Sequence, residues 1–170
     1  RLSTRPVEQQ LAAVPDDPAA RERRRRQVVA GAYRLRTAQR RPAATIVTMG
    51  AMATEAVRAA ERLHDMDIDA DVVCVTSPGL LFAATQAREG RHDAPTWILD
   101  SVFPSERATP MVTVLDGHPH TLAFLATINR VRLRALGVAS FGQAGALDDT
   151  YRHHGIDTDS IVRATLDAIS

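Results

Sequence analysis

The sequence predicts an α/β domain, a mostly parallel sheet with helices on both faces. Three observations carry this. Three short apolar runs, residues 45–49, 71–76 and 111–115, have the length and β-branched content of buried strands, and residues 133–138 read as a further strand. Segments with helical periodicity or helix-start signals separate each run from the next, as crossover connections between parallel strands require. A chain of 170 residues, 45% hydrophobic and 24% charged, suits one soluble domain with a sizeable core.

Arg1–Pro6 reads as the end of a strand and Val7–Pro18 as a connector. Pro18-Ala19-Ala20 then opens a basic helix through Arg21-Glu22-Arg23-Arg24-Arg25-Arg26, which Gly31 ends. Tyr33–Arg36 alternates as a short edge strand, and residues 40–44 form a loop. Thr45–Met49 is the first buried strand, closed by Gly50. Met52, Ala56, Ala59, Ala60 and Leu63 make one narrow helical stripe, with Glu55, Arg58, Glu61, Arg62 and Asp65 on the opposite side.

Asp71–Thr76 is the next strand, and Ser77-Pro78-Gly79 starts a helix to about Glu89. Residues 90–110, with three prolines, form an irregular excursion around a short helix near Ile98–Phe103. Met111–Leu115 is a strand, Pro119 starts a helix to about Asn129, and Leu133–Val138 is the last strand. Ala146–His154 and Asp159–Ile169 are helices, with Asp157 and Asp159 at the positive end of the second. No internal repeat is present.

Composition excludes several functions. No stretch approaches the ~18 apolar residues of a membrane span. Cys74 is the only cysteine, so an internal disulfide or multi-cysteine metal site is excluded and a reducing, cytoplasmic setting fits. The start lacks Met and a signal segment, which reads as an internal cut in something longer. All 21 basic residues are arginine, and they are unevenly placed. Residues 1–42 carry a net charge of +7 and residues 43–170 a net −6. Single-stranded nucleic acid usually needs aromatic platforms beside the charge. Only Tyr33 lies near the arginine run, so a solvated or intramolecular acid-binding face is expected and a nucleic-acid partner is not.

Candidate chemistry concentrates after the strands. Phe141-Gly142-Gln143-Ala144-Gly145 sits where backbone amides could hold an anion. It is G-x-x-G, neither a dinucleotide fingerprint nor a phosphate loop, and a tight turn is the simpler reading. The alternating Asp65, Asp67, Asp69 and Asp71 hint at a calcium loop. That loop would put Ala70 where Gly is needed and Thr76 where Glu is needed, so a helix end and solvated turn are expected.

Asp116-Gly117-His118-Pro119-His120 is the richest polar cluster, at the carboxyl end of a buried strand where open α/β sheets bind ligands. Bracing or interface contacts, ligand contact and metal binding all remain open there. Bracing leads, and no metal site is assigned. His153-His154 is weaker, and Cys74 reads as a buried, inert thiol. No complete active site is visible.

The string Leu136–Gly145, followed by Asp149–Asp157 (D-T-Y-R-H-H-G-I-D), resembles the end of the C-terminal domain of transketolase-like, thiamine-diphosphate-dependent enzymes. There a G-x-x-x-F-G-x-x-G stretch leads into H-x-G and a terminal helix. Leu2–Arg5 resembles the closing strand of the preceding pyrimidine-binding domain, Thr45–Leu63 the opening strand and helix of the last domain, and Val112–Gly117 a later strand. The chain looks most like the homodimeric decarboxylating component of the pyruvate dehydrogenase complex, with transketolase second. The basic stretch leading to Gly31–Arg36 resembles the bridge into that component's last domain.

The resemblance implies residues 1–42 as the end of the pyrimidine-binding domain plus a basic linker helix, and 43–170 as the C-terminal domain. It implies a three-layer α/β/α sandwich whose five-stranded, mostly parallel sheet has one antiparallel edge strand. The parent would bind thiamine diphosphate and magnesium at a dimer interface, decarboxylate a 2-oxo acid and pass the acyl group to an acyltransferase component's lipoyl carrier. The G-D-G motif and the activating glutamate are missing from this sequence. The chain alone is therefore expected to bind no cofactor and catalyse nothing, and to brace the remaining domains and the dimer. Arg5 falls near an arginine that faces the substrate's phosphate end in transketolases, across a one-residue gap at Thr4. The alternative is an autonomous ligand-binding module using the Asp116–His120 edge.

Overall fold

The computed structural model describes residues 14–140 and 145–170. The strand end expected at Arg1–Pro6, with Arg5, and the Phe141–Gly142 turn lie outside them. The elements run α1 (Pro18–Ala30), β1 (Ala32–Arg36), β2 (Ala44–Met49), α2 (Ala53–Asp65), β3 (Ala70–Val75) and α3 (Pro78–Arg88). Then follow α4 (Trp97–Val102), β4 (Met111–Leu115), α5 (His120–Ala123), β5 (Leu133–Leu136), α6 (Leu147–His153) and α7 (Thr158–Ile169).

The five strands form one sheet in the order β1-β3-β2-β4-β5. β1 runs antiparallel to β3 and every other pairing is parallel, giving one antiparallel edge strand. Side-chain alternation splits the core in two. Val47, Val73, Val75, Met111 and Leu115 face α3, α4 and α5 residues such as Leu81, Leu99 and Leu122. Ile46, Val72, Val112 and Val114 face α2 and α7 residues such as Ala59, Leu63 and Ile161. Both sheet faces are covered, so the strands read as continuous apolar runs.

Helix ends follow local chemistry. Asp17 caps α1 by accepting from the Ala20 N–H at 2.7 Å, and Pro18 fills the first turn, where no N–H is needed. Gly31 ends α1 with φ of 123°, and its carbonyl accepts from Thr76 and Ser77 N–H. A Cβ there would stand 3.0 Å from the Ser77 carbonyl, so glycine is required. Ser77 caps α3 and Asp157 caps α7.

The α2 stripe is as expected: Met52, Ala56, Ala59, Ala60 and Leu63 are all buried. Glu55 departs from its expected place on the solvent side. Its carboxylate accepts from the Thr158 N–H and Oγ1, fastening α2 to the start of α7. Arg62 adds an ion pair to Asp159.

The helix expected from Pro119 to Asn129 breaks in two. One α-turn at His120–Ala123 gives way to a 3₁₀ turn at Phe124–Thr127. The cause is spacing: Leu122, Leu125 and Ile128 recur every three residues, matching a three-per-turn helix, and the first two are fully buried. The last strand ends at Leu136, two residues early, because Gly137 is wedged against the β4 turn.

Candidate functional site

All four parallel strands end at one edge. β2 passes through Gly50, whose φ is 65°, into α2. Asp116 is half-buried there, its Oδ1 3.4 Å from where a Gly50 Cβ would lie. The Gly117 carbonyl accepts from the Val138 N–H at 2.9 Å, stitching the turn after β4 to the chain after β5. A Cβ on Gly137 would come within 2.6 Å of that carbonyl and 2.9 Å of the Pro119 ring. Steric contact therefore fixes this turn.

His118 and His120 emerge from the turn and are both exposed. Their ring centroids are 4.5 Å apart and their Nδ1 atoms 2.5 Å apart. The structure thus brings together Asp116, Gly117, His118 and His120 at one edge, as their closeness in sequence dictates. Gly145 is exposed at the approach to α6, and a Cβ there would lie 3.7 Å from Thr150 Oγ1.

The opposite, amino-terminal edge carries a charged cluster that sequence reasoning missed. Asp65 and Asp67 are exposed, as a solvated turn requires, but Asp69 and Asp71 are buried. Arg107 donates Nε and Nη2 to the two Asp71 oxygens at 3.0 and 2.9 Å, a bidentate pair. Arg34 pairs with the same carboxylate and donates Nη2 to the Val102 carbonyl at 2.7 Å, while the Ala38 N–H adds a further bond. Asp69 accepts from the Arg40 N–H and Nε and pairs with His64 Nδ1 at 2.6 Å. The His64 hydrogen bond, then those from Arg40, holds the Asp69 carboxyl down to about 2.

A buried carboxylate costs several kcal/mol unless paired, so an acid opening a strand covered on both faces signals distant cations. Arg34 and Arg107 lie far along the chain, which is why local pattern missed them. The cluster ties the 90–110 excursion to the sheet, and its groove is lined by Arg34, Thr45, Phe103, Arg107 and Asn129.

Little else is reactive. Burial pushes the Cys74 thiol up, and burial first, then Cys74, pushes its cross-strand neighbour Tyr33 up to about 12. Cys74 is half-buried rather than fully enclosed, and its thiol form is a poor nucleophile. On α1, which buries no residue, Arg25 pairs with Glu22. Arg24 stacks on Tyr33 at 4.6 Å, and Arg26 lies 5.2 Å from a second ring the fold supplies, Trp97. These arginines cover the aromatics beside them. Among the described residues no three His, Cys, Asp or Glu side chains converge as a metal site, and no helix is long and apolar enough to cross a membrane.

The family model of the transketolase-like TK C-terminal domain matches residues 31–157. No curated protein matches. Among solved structures, the fold is similar to transketolase from Leishmania mexicana, with 21% identity and a TM-score of 0.62 over 85% of this chain and 18% of that one. Transketolase from Campylobacter jejuni gives 17% identity and a TM-score of 0.60 over 81% of this chain and 18% of that one. A split-gene transketolase described as an inactive beta4 tetramer gives 16% identity and a TM-score of 0.58, over 82% of this chain and 42% of that one. The chain therefore spans less than half the length of any of these proteins, and the structural likeness speaks for the fold alone. The family match covers most of the chain, from β1 to the turn before α7, so the chain belongs to the transketolase-like C-terminal domain family.

Proposed function

We propose that this chain is the C-terminal bracing domain of a thiamine-diphosphate-dependent enzyme, inactive by itself and built to hold its parent's other domains and dimer partner. The observation that carries the reading is the combination of family membership with a charged cluster whose groups are spent on each other. Asp71 with Arg34 and Arg107, and Asp69 with Arg40 and His64, stiffen the fold and commit both of these carboxylates to structural pairs.

The residues present do not fit the family's cofactor. Magnesium on a diphosphate needs convergent oxygen donors, and among the described residues the Asp116–His120 turn offers one half-buried carboxylate beside two exposed imidazoles. When held elsewhere in the parent, thiamine diphosphate would supply the carbanion chemistry.

The parent's reaction is either ketol transfer, as the structural relatives' names suggest, or decarboxylation of a 2-oxo acid with transfer to an acyltransferase component. The second rests on the likeness of the basic stretch leading to Gly31–Arg36 to the bridge into the last domain of the pyruvate dehydrogenase component. A cytoplasmic setting belongs to either reading, and the substrate-facing role of Arg5 to ketol transfer. The test is reconstitution. The upstream part of the parent and this chain, expressed separately and then mixed, should turn over pyruvate or a ketose phosphate only together, with light scattering reporting a joint oligomer. Turnover by this chain alone overturns the reading.

A further inference from the structure

We propose that His118 and His120 form a two-imidazole seat for a borderline divalent transition metal of the zinc or nickel class. This does not rest on the bracing function and would hold for any parent enzyme.

Two imidazole nitrogens meet above the turn that follows β4. The Nδ1 atoms stand 2.5 Å apart, so their lone pairs cannot face each other bare. At that spacing only a shared proton fits between them, and a cation can enter only once the rings part. The His120 backbone N–H points at His118 Nδ1 from 3.4 Å, too far to occupy that lone pair strongly. In the metal-free form, a proton on His120 Nδ1 fills the gap. On metal binding that proton moves to His120 Nε2 through solvent, both Nδ1 atoms become ligands, and no net proton is lost.

Zinc–nitrogen bonds of about 2.0–2.1 Å and a tetrahedral angle put two ligand nitrogens roughly 3.4 Å apart. The rings must therefore open by about an ångström. Both are exposed, and the turn beneath them is held by Gly117, Pro119 and Gly137, so side-chain rotation supplies the movement without disturbing the backbone. Water or a group from a partner fills the remaining positions, the arrangement of an open site.

Ligand softness sets the class. Imidazole suits zinc, copper and nickel, whereas magnesium takes oxygen donors in an octahedron. The other vicinal pair, His153 and His154, packs edge to face at 5.0 Å between centroids, and consecutive helical residues do not share a face. His64 is already committed to Asp69.

The test is an NMR titration of the histidine Cε1–H signals of the 170-residue chain with zinc chloride. The His118 and His120 signals should shift together and saturate at one equivalent with micromolar affinity, while millimolar magnesium leaves them in place. His118→Gln and His120→Gln should each weaken binding by at least about tenfold, since losing a ligand costs no less than losing its outer-shell support. His153→Gln and His154→Gln should change nothing. Shifts confined to other histidines, no response of His118 and His120 below millimolar zinc, or full affinity in His120→Gln would each overturn the proposal. Folding is not at stake, because both rings lie on the surface.

Discussion

The two edges of the sheet are held by different physics. At the amino-terminal edge, buried carboxylates and arginines lock each other: Asp71 is fully buried under Arg34 and Arg107, and Asp69 is buried under Arg40. At the carboxyl edge, glycines and a proline fix the backbone by contact, and the polar side chains of His118 and His120 face solvent. One edge uses its charge to hold the fold together. The other leaves its two imidazoles in solvent, bonded to each other.

Breaking the charged edge should cost most. Asp71→Asn keeps the shape and strands two guanidinium groups, so we expect a loss of about 3 kcal/mol or more in urea denaturation. Arg107→Ala should cost less, because Arg107 is partly exposed and Arg34 stays paired. If Asp71→Asn leaves the midpoint within error of wild type, the pairing is ornamental and the contrast between the edges fails.

The carboxyl edge should respond to volume instead. Gly137→Ala forces a methyl to within 2.6 Å of the Gly117 carbonyl, a backbone atom that cannot swing aside. A destabilisation of roughly 2 kcal/mol is expected from such overpacking, insensitive to pH and salt. Removing the polar rings at the same edge should matter least. Replacing His118 and His120 together by Gln should shift stability by under about 0.5 kcal/mol, as exposed substitutions usually do.

Acid sharpens the comparison. The Asp69 carboxyl is lowered from 3.8 to about 2, so its stabilising effect is present above its unfolded value and is lost as pH falls through the folded one. Unfolding midpoints measured between pH 5 and pH 2 should fall most steeply below pH 4. Asp69→Asn should flatten that segment, and an unchanged slope would place the acid sensitivity elsewhere.

Most of the scaffold was legible in the sequence because it rests on local pattern. The α2 stripe, the paired cap and proline at α1 and α3, and the apolar runs each encode their element within a dozen residues. The antiparallel edge strand came from family likeness, since Tyr33–Arg36 alternates whichever way it runs. What escaped depends on distant partners. Asp69 and Asp71 look like a solvated turn until Arg34, Arg40 and Arg107 arrive from other parts of the chain. Glu55 looks solvent-facing until α7 presents Thr158. The 3₁₀ turn at Phe124–Thr127 was present in the three-residue spacing of Leu122, Leu125 and Ile128, a period easily taken for α-helix. For the carboxyl edge, the sequence placed Asp116 to His120 together, but only the fold shows two imidazole nitrogens meeting.

The most direct test of the bracing account is calorimetric titration of the chain with thiamine diphosphate in the presence of magnesium. The account predicts no binding heat at micromolar ligand. Saturable binding at that concentration would mean that this domain holds the coenzyme itself, and the account would be wrong.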